Sequence, residues 1–164
     1  MIDQKMQDAI NKQINEEIFS SYLYLSMSAD FQSKNLTGAG AWMAKQANEE
    51  TSHAMKFFHF IIERGGEVEL LPIAKPQKNW KTPLDAFRDA ERHEQYITKC
   101  IHDLVDLSIQ EKDYATQNLL QWFVNEQVEE EAAVGEIVAK LEMVSESKNG
   151  MYMIDRELGT RGTD

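Results

Sequence analysis

Glu50 and His53 stand three residues apart in NEETSHA, and Gln127 and Glu130 repeat that interval in NEQVEEEA. On a helix the interval puts both side chains on one face. A carboxylate beside an imidazole suits a divalent transition metal such as Fe(II), Mn(II) or Zn(II), and donor type alone does not choose among them. Two further acids extend the set. Glu17 lies 33 residues before Glu50, and Glu94 lies 33 residues before Gln127. Such matched spacing is expected when two helical hairpins each supply half of a two-metal site. The run Glu126, Glu129, Glu130 and Glu131 needs its own explanation, because like charges three or four apart on a helix repel by roughly 0.2–0.5 kcal/mol per pair.

The elements that must position these residues are helices. Pro72, Pro76 and Pro83 are the only prolines, and with Gly65 and Gly66 they mark residues 66–82 as one long loop. On either side apolar residues recur at helical period, and strand signals are absent. The pattern predicts a first helix over 4–32, ended before Asn35, and a second over 37–64, stopped by Gly65. Thr82, Pro83 and Asp85 supply an N-cap, a proline and an acid for the first turn of a third helix. Asp113 caps a fourth that runs to about 144. Lys148-Asn149-Gly150 then separates a short fifth helix over 151–158. Short breaks make the first and second helices antiparallel, and likewise the third and fourth. A helix of about 27 residues is about 40 Å long, and a loop of about 17 residues extends to about 56 Å. The long loop can therefore run back along the bundle and leave the second and third helices parallel.

Steps of four and three along each helix carry the acids inward. The first gives Met6, Ile10, Gln13, Glu17, Ser20, Tyr24, Met27 and Phe31, and the second gives Met43, Gln46, Glu50, His53 and Phe57. The third gives Phe87, Ala90, Glu94, Ile97 and Ile101, and the fourth gives Leu120, Phe123, Gln127, Glu130 and Val134. Each acid falls near the middle of its helix, so the acids meet at one level of the interior. An unpaired buried carboxylate costs several kcal/mol, and four together would unfold a domain stable by only about 5–15 kcal/mol. Protonation or bound cations must offset that. In the acidic run Gln127 and Glu130 point inward and Glu131 reads as a solvated acid. Glu126 and Glu129, about 100° to either side, are placed to join Glu49 in an accessory metal position at the rim.

At 164 residues, with 42% hydrophobic and 27% charged, residues 1–164 read as a single domain with a real core. The net charge of -11 disfavours nucleic acid and anionic membranes as partners and concentrates cations. Cys100 stands alone, which rules out an intrachain disulfide framework and a four-cysteine iron domain. No apolar run approaches a membrane span, and the start MIDQKMQDAI has no signal-peptide pattern, so the chain reads as soluble and cytoplasmic. His59, His93 and His102 fall off the stripes and read as exposed, Cys100 as a packing residue. Phe57, Phe58, Phe60, Trp122 and Phe123 read as core or interface packing. Gly135 interrupts the fourth helix, as a kink or a close subunit contact.

NEEIFSSYLYLSMS, NEETSHA, NLLQWFVNEQVEEE and the terminal NGMYMIDREL resemble the bacterial non-haem ferritins over nearly the whole chain. A lone Glu-x-x-His is a weak signal, but Glu17, Tyr24, Glu50-x-x-His53, Glu94 and Gln127-x-x-Glu130 together are specific. The resemblance implies an all-α, ferritin-like four-helix bundle with one long crossover loop between the second and third helices and a short fifth C-terminal helix. It implies assembly into a hollow 24-subunit shell that oxidises Fe(II) with O2 or H2O2 and stores Fe(III) as a hydrated ferric oxide mineral. By the same resemblance Glu17, Glu50 and His53 hold one iron, and Glu50 bridges to a second held by Glu94 and Glu130. Gln127 bonds the oxygen species or a bound water, and Tyr24 is an electron donor behind the ligands. Glu49, Glu126 and Glu129 match a third iron site. Val128 stands where related sequences often carry His, a departure outside the central ligands. Haem-containing relatives carry Met at the position of Thr51 and His at the position of Glu130, so no haem is expected. The different-class alternative is a non-catalytic acidic helical bundle that serves as an interaction module and takes up no iron.

Overall fold

The computed structural model describes residues 1–144 and 146–161, which form five helices and, among the described residues, no strand. They are α1 Gln4–Ser33, α2 Thr37–Glu63, α3 Pro83–Gln110, α4 Tyr114–Val144 and α5 Lys148–Leu158. Their starts are set by side chains that satisfy the free N–H groups of a first turn. Asp3 accepts from Lys5 N at α1, and Thr82 accepts from Asp85 N at α3, with Pro83 in the first turn. Asp113 Oδ1 accepts from Thr116 N at 3.1 Å at α4. The chain turns between helices at Asn35 (φ 59), Gly65 (φ 70) and Lys112 (φ 54).

One sequence expectation needs correction. α5 begins at Lys148, not near 151, because Ser147 caps it by accepting from Gly150 N. Gly150 acts there as a packing residue and not as a breaker: a Cβ on it would lie 2.6 Å from Val144 Cβ. α4 continues through Gly135, where an added Cβ would meet only Glu91 Oε1 at 3.6 Å, so no close contact inside the protomer requires that glycine.

The long loop runs the length of α1. Its start is tied to Gln7 and Asn11, its middle to Asn15 and its end to Ser26 and Lys34, through the backbone groups of Glu67, Glu69, Leu71, Pro72, Gln77 and Trp80. That path returns the chain to the end of the bundle where α2 began, so α2 and α3 run parallel. α1 borders α2 and α3, and α4 borders α3. α2 and α4 meet through long side chains, as in the stacked rings of Phe57 and Phe123 at 4.0 Å.

The apolar core is split in two. One part gathers Tyr24, Met27, Phe31, Met43, Phe87 and Val134 with Ile154 and Leu158 of α5. The other gathers Met6, Ile10, Ile14, Phe57, Ile97, Ile101 and Phe123. The chain order places a layer of buried polar residues between them: Gln13, Glu17, Ser20, Gln46, Glu50, His53, Glu94, Gln127 and Glu130. No helix among the described residues is long and apolar enough to cross a membrane.

Candidate metal centre

The polar layer is closed to solvent. Glu17, Glu50 and Glu94 are each 1% exposed, His53 4% and Glu130 6%. Each of α1, α2, α3 and α4 delivers its acid from mid-helix, where the apolar stripe above and below fixes which way the side chain faces. One ligand atom from each of Glu17, Glu50 and His53 lies within 4.8 Å of the others, and the same holds for Glu50, Glu94 and Glu130. Glu50 belongs to both groups, so it is placed to bridge two adjacent cations. His53, Glu126 and Glu130 make a further group at the half-buried side of the site.

His53 presents Nδ1 to Glu50 Oε2 at 3.4 Å and to Glu17 Oε2 at 4.0 Å, and Nε2 to Glu126 Oε1 at 3.6 Å. Edge contacts with Trp122 and Phe123 hold its ring. Burial pulls the imidazole pKa down. The bond to Glu50 and the charges of Glu50, Glu130 and Glu126 outweigh it, and the net shift is upward.

Neutral donors tether the carboxylates. Gln13 Nε2 donates to Glu17 Oε1 at 2.8 Å, and Gln46 Nε2 donates to both Glu50 Oε1 at 2.8 Å and Glu130 Oε2 at 2.7 Å. Glu94 accepts from the Tyr24 hydroxyl and from Gln127 Nε2. The exception is Glu17 Oε2, which is buried and has no hydrogen-bond partner among the described residues. A buried acceptor left unpaired costs about 1–3 kcal/mol, more if charged, and this one faces the imidazole and Glu50. It faces the middle of the donor set, where a cation that displaced the carboxyl proton would find an oxygen with no amide or hydroxyl donor on it.

Protonation follows from the same crowding. Burial first, then the Glu50 charge, pushes the Glu17 and Glu94 carboxyls well above the usual range. Burial and Glu50 push Glu130 up to about 7. Burial, then Glu94 and Glu50, raises the Tyr24 phenol, which stays a donor. Without a cation, burial and proximity favour the neutral form of Glu17 and Glu94, while Glu130 titrates close to neutral pH.

The structure gathers Glu17, Tyr24, Glu50, His53, Glu94, Gln127 and Glu130 at one site, with Glu126 at its edge. Gln127 Nε2 is committed to Glu94 and to Thr98 Oγ1 at 3.2 Å, so its amide nitrogen holds the Glu94 carboxyl in place. Glu49 and Glu129 join none of the metal-binding groups found among the described residues. Glu129 is exposed, and Glu49 pairs with Arg161 Nη2 at 2.5 Å. Glu131 is only half-exposed and accepts from Thr98 Oγ1. His93 is half-buried, its Nε2 2.7 Å from Ser20 Oγ, because α1 crosses α3 closely there; His59 and His102 are exposed as their registers imply. Gln13 and Gln46 fall on the inward stripes of α1 and α2, where the pattern alone assigns them no role. The signal was present, since amides between buried acids are the natural donors.

Residues 7–144 match the family described as Ferritin-like domain. A curated relative from Bacteroides fragilis, called bacterial non-heme ferritin, is 44% identical over 161 residues, which is 98% of this chain and 100% of the relative. One of the same description from Campylobacter jejuni is 42% identical over 156 residues, covering 95% of this chain and 93% of the relative. A crystal structure of an open pore ferritin from the archaeon Archaeoglobus fulgidus superposes with a TM-score of 0.97 at 50% identity, covering 98% of this chain and 99% of that one.

Proposed function

The chain belongs to the ferritin family and is an iron-storage ferroxidase, and we propose that oxidation takes place at the site where α1 to α4 converge. Glu17, Glu50 and His53 receive one ferrous ion, and Glu50, Glu94 and Glu130 receive the other. The observation that carries this assignment is the unpartnered Glu17 Oε2 beside His53 Nδ1. Two Fe(II) ions give up two electrons. With two protons these reduce O2 to H2O2, or H2O2 to water. The carboxylates lose their protons as iron enters and then carry the negative charge that favours Fe(III) over Fe(II). Tyr24 and Gln127 hold Glu94 in place, and Tyr24 is the aromatic group from which a further electron could be drawn.

The two positions differ in donors. One has a nitrogen and the other only oxygens, so the second holds iron less tightly and releases its ferric product to the cavity more readily. Of the accessory acids, Glu126 supports a third iron position through its grouping with His53 and Glu130. Glu49 and Glu129 would have to turn toward it. The product is stored as hydrated ferric oxide in a hollow homo-oligomeric shell, for which we propose 24 subunits and a cytoplasmic location. The lone Cys100 suits a reducing compartment. A non-catalytic acidic bundle is not favoured, because acids kept for solubility face water and these do not.

Stopped-flow mixing of Fe(II) with the aerobic protein tests the assignment, with particle mass measured in parallel. Glu50→Ala removes the shared ligand and should slow the fast oxidation phase by about 100-fold at unchanged particle mass. Oxidation at the wild-type rate in an intact Glu50→Ala particle would mean the site lies elsewhere.

A further inference from the structure

Arg161 lies beyond α5 and far from the acids in sequence, yet it reaches the residue that tethers two of them. Nη1 donates to Gln46 Oε1 at 2.9 Å and to Trp42 O at 3.4 Å, and Nη2 donates to Glu49 Oε2 at 2.5 Å. The guanidinium carbon sits 4.4 Å from the centre of the Trp42 ring. Trp42, Gln46 and Glu49 follow one another at helical spacing and make a single seat on α2. The docking of α5 brings the arginine there: Ala39 N donates to Asp155 Oδ1 at 2.8 Å, and the start of α2 packs so closely on α5 that a Cβ on Gly38 would lie 1.7 Å from Asp155 O.

We propose that Arg161 is a positioning residue for the metal centre, fixing the Gln46 amide so that its nitrogen, and not its oxygen, faces Glu50 and Glu130. The two ends of a glutamine amide are nearly identical in shape and opposite in hydrogen bonding. Turned one way, Gln46 gives the two carboxylates two donors. Turned the other, it sets a lone pair against each. A guanidinium has five donors and no acceptor, so its grip on Oε1 selects the first orientation. The seat on Trp42 and the pair with Glu49 keep the arginine itself from wandering. The C-terminal segment is thereby linked to the affinity of the centre, through one amide.

This inference rests on the metal-site assignment above, and Zn(II) binding separates the two. Zinc takes the same donors without redox chemistry, and its affinity for the metal-free assembled protein is read by calorimetry. In wild type, Zn(II) should bind. Arg161→Met should weaken that binding by about tenfold, and Arg161→Lys, which still donates to Gln46, should restore it to within about threefold. In a Gln46→Met background, Arg161→Met should change affinity by less than about twofold, because the effect passes through the missing amide. An equal loss in both backgrounds would show that Arg161 merely holds the tail on α2, and undiminished binding in Arg161→Met would overturn the proposal outright. Should Gln46→Met fail to assemble, Gln46→Leu replaces it, filling the site without donor, acceptor or charge. Absence of zinc binding in wild type would instead remove the assignment of the site, and this inference with it.

Discussion

His53 Nδ1 stands 4.0 Å from Glu17 Oε2, a buried carboxylate oxygen with no hydrogen-bond partner among the described residues. α1 and α2 are held antiparallel so that these two atoms face each other across Glu50. On the proposed assignment the pair accounts for an acid in the core, since a carboxylate that is unfavourable there without a cation would serve as a ligand with one.

Glu17→Gln should therefore act with opposite sign in the two states. Without metal it replaces an acid whose pKa burial holds well above normal by a neutral group of the same shape, and the melting temperature in chelator should rise by a few degrees, on the order of 1 kcal/mol. With metal it removes a charged ligand, and Zn(II) affinity should fall by about 100-fold. Thermal unfolding with and without Zn(II) reads both. A drop in stability in chelator would show that Glu17 is held by contacts other than those seen.

The pH dependence follows from Glu130, at about 7 in the fold against an ordinary 4.5. Its shift is upward, so between those values the folded protein holds a proton that the unfolded chain has released. Stability of the metal-free protein falls with rising pH over that window, where Glu130 contributes its full stabilisation only below about 4.5. Metal binding must displace the carboxyl protons, so affinity rises with pH, by about tenfold per pH unit for each proton released, and below about 7 Glu130 supplies one of them. Glu130→Gln should flatten the metal-free melting curve between pH 5 and 7. A wild-type curve no steeper than that of the variant would contradict the raised carboxyl.

Much of this was legible in the sequence because it depends on period. Glu17, Glu50, Glu94 and Glu130 lie on apolar stripes, so helical geometry alone sent them inward, and the prolines Pro72, Pro76 and Pro83 exposed the long crossover. Contacts made across the bundle were not legible. His93 is off the stripe of its own helix, yet α1 covers it. Lys148 starts α5 because Ser147 is a better cap than Gly150 is a breaker. Glu49 shares the spacing of a rim ligand with Glu126 and Glu129, but its partner is Arg161, delivered by a helix whose docking no local pattern encodes.

Tyr24 donates to Glu94, which also accepts from Gln127. Tyr24→Phe keeps the ring in the core and deletes only the donor, leaving Glu94 Oε1 buried and unpaired. The loss should be about 1–3 kcal/mol of stability in the metal-free protein. Iron oxidation should slow by about tenfold without ceasing, because every ligand is still present. Chemical denaturation and stopped-flow oxidation measure the two effects, and complete loss of oxidation in a folded Tyr24→Phe shell would promote the phenol from support to an obligatory participant.

At the end of the bundle nearest the α3–α4 turn, Arg64 and Asp113 join α2 to α4. Arg64 Nη1 and Nη2 donate to Asp113 Oδ1 and Oδ2 at 3.0 and 3.3 Å, while the same carboxylate caps α4 by accepting from Thr116 N and Thr116 Oγ1. Partial burial raises the pKa of Asp113, but the bonds from Arg64 and Thr116 exceed it and the net shift is downward. A lowered acid stabilises the fold above its unfolded pKa and stops doing so as pH falls through the folded value. Its contribution is thus complete at neutral pH and disappears below about 4. Asp113→Ala removes cap and pair together and should cost about 1–3 kcal/mol at pH 7, with the gap to wild type closing in acid. The metal site lies mid-helix, some turns away, so Zn(II) affinity of the assembled variant should match wild type. A variant that loses metal affinity in proportion to its stability would show that the end clamp and the acid layer form one cooperative unit.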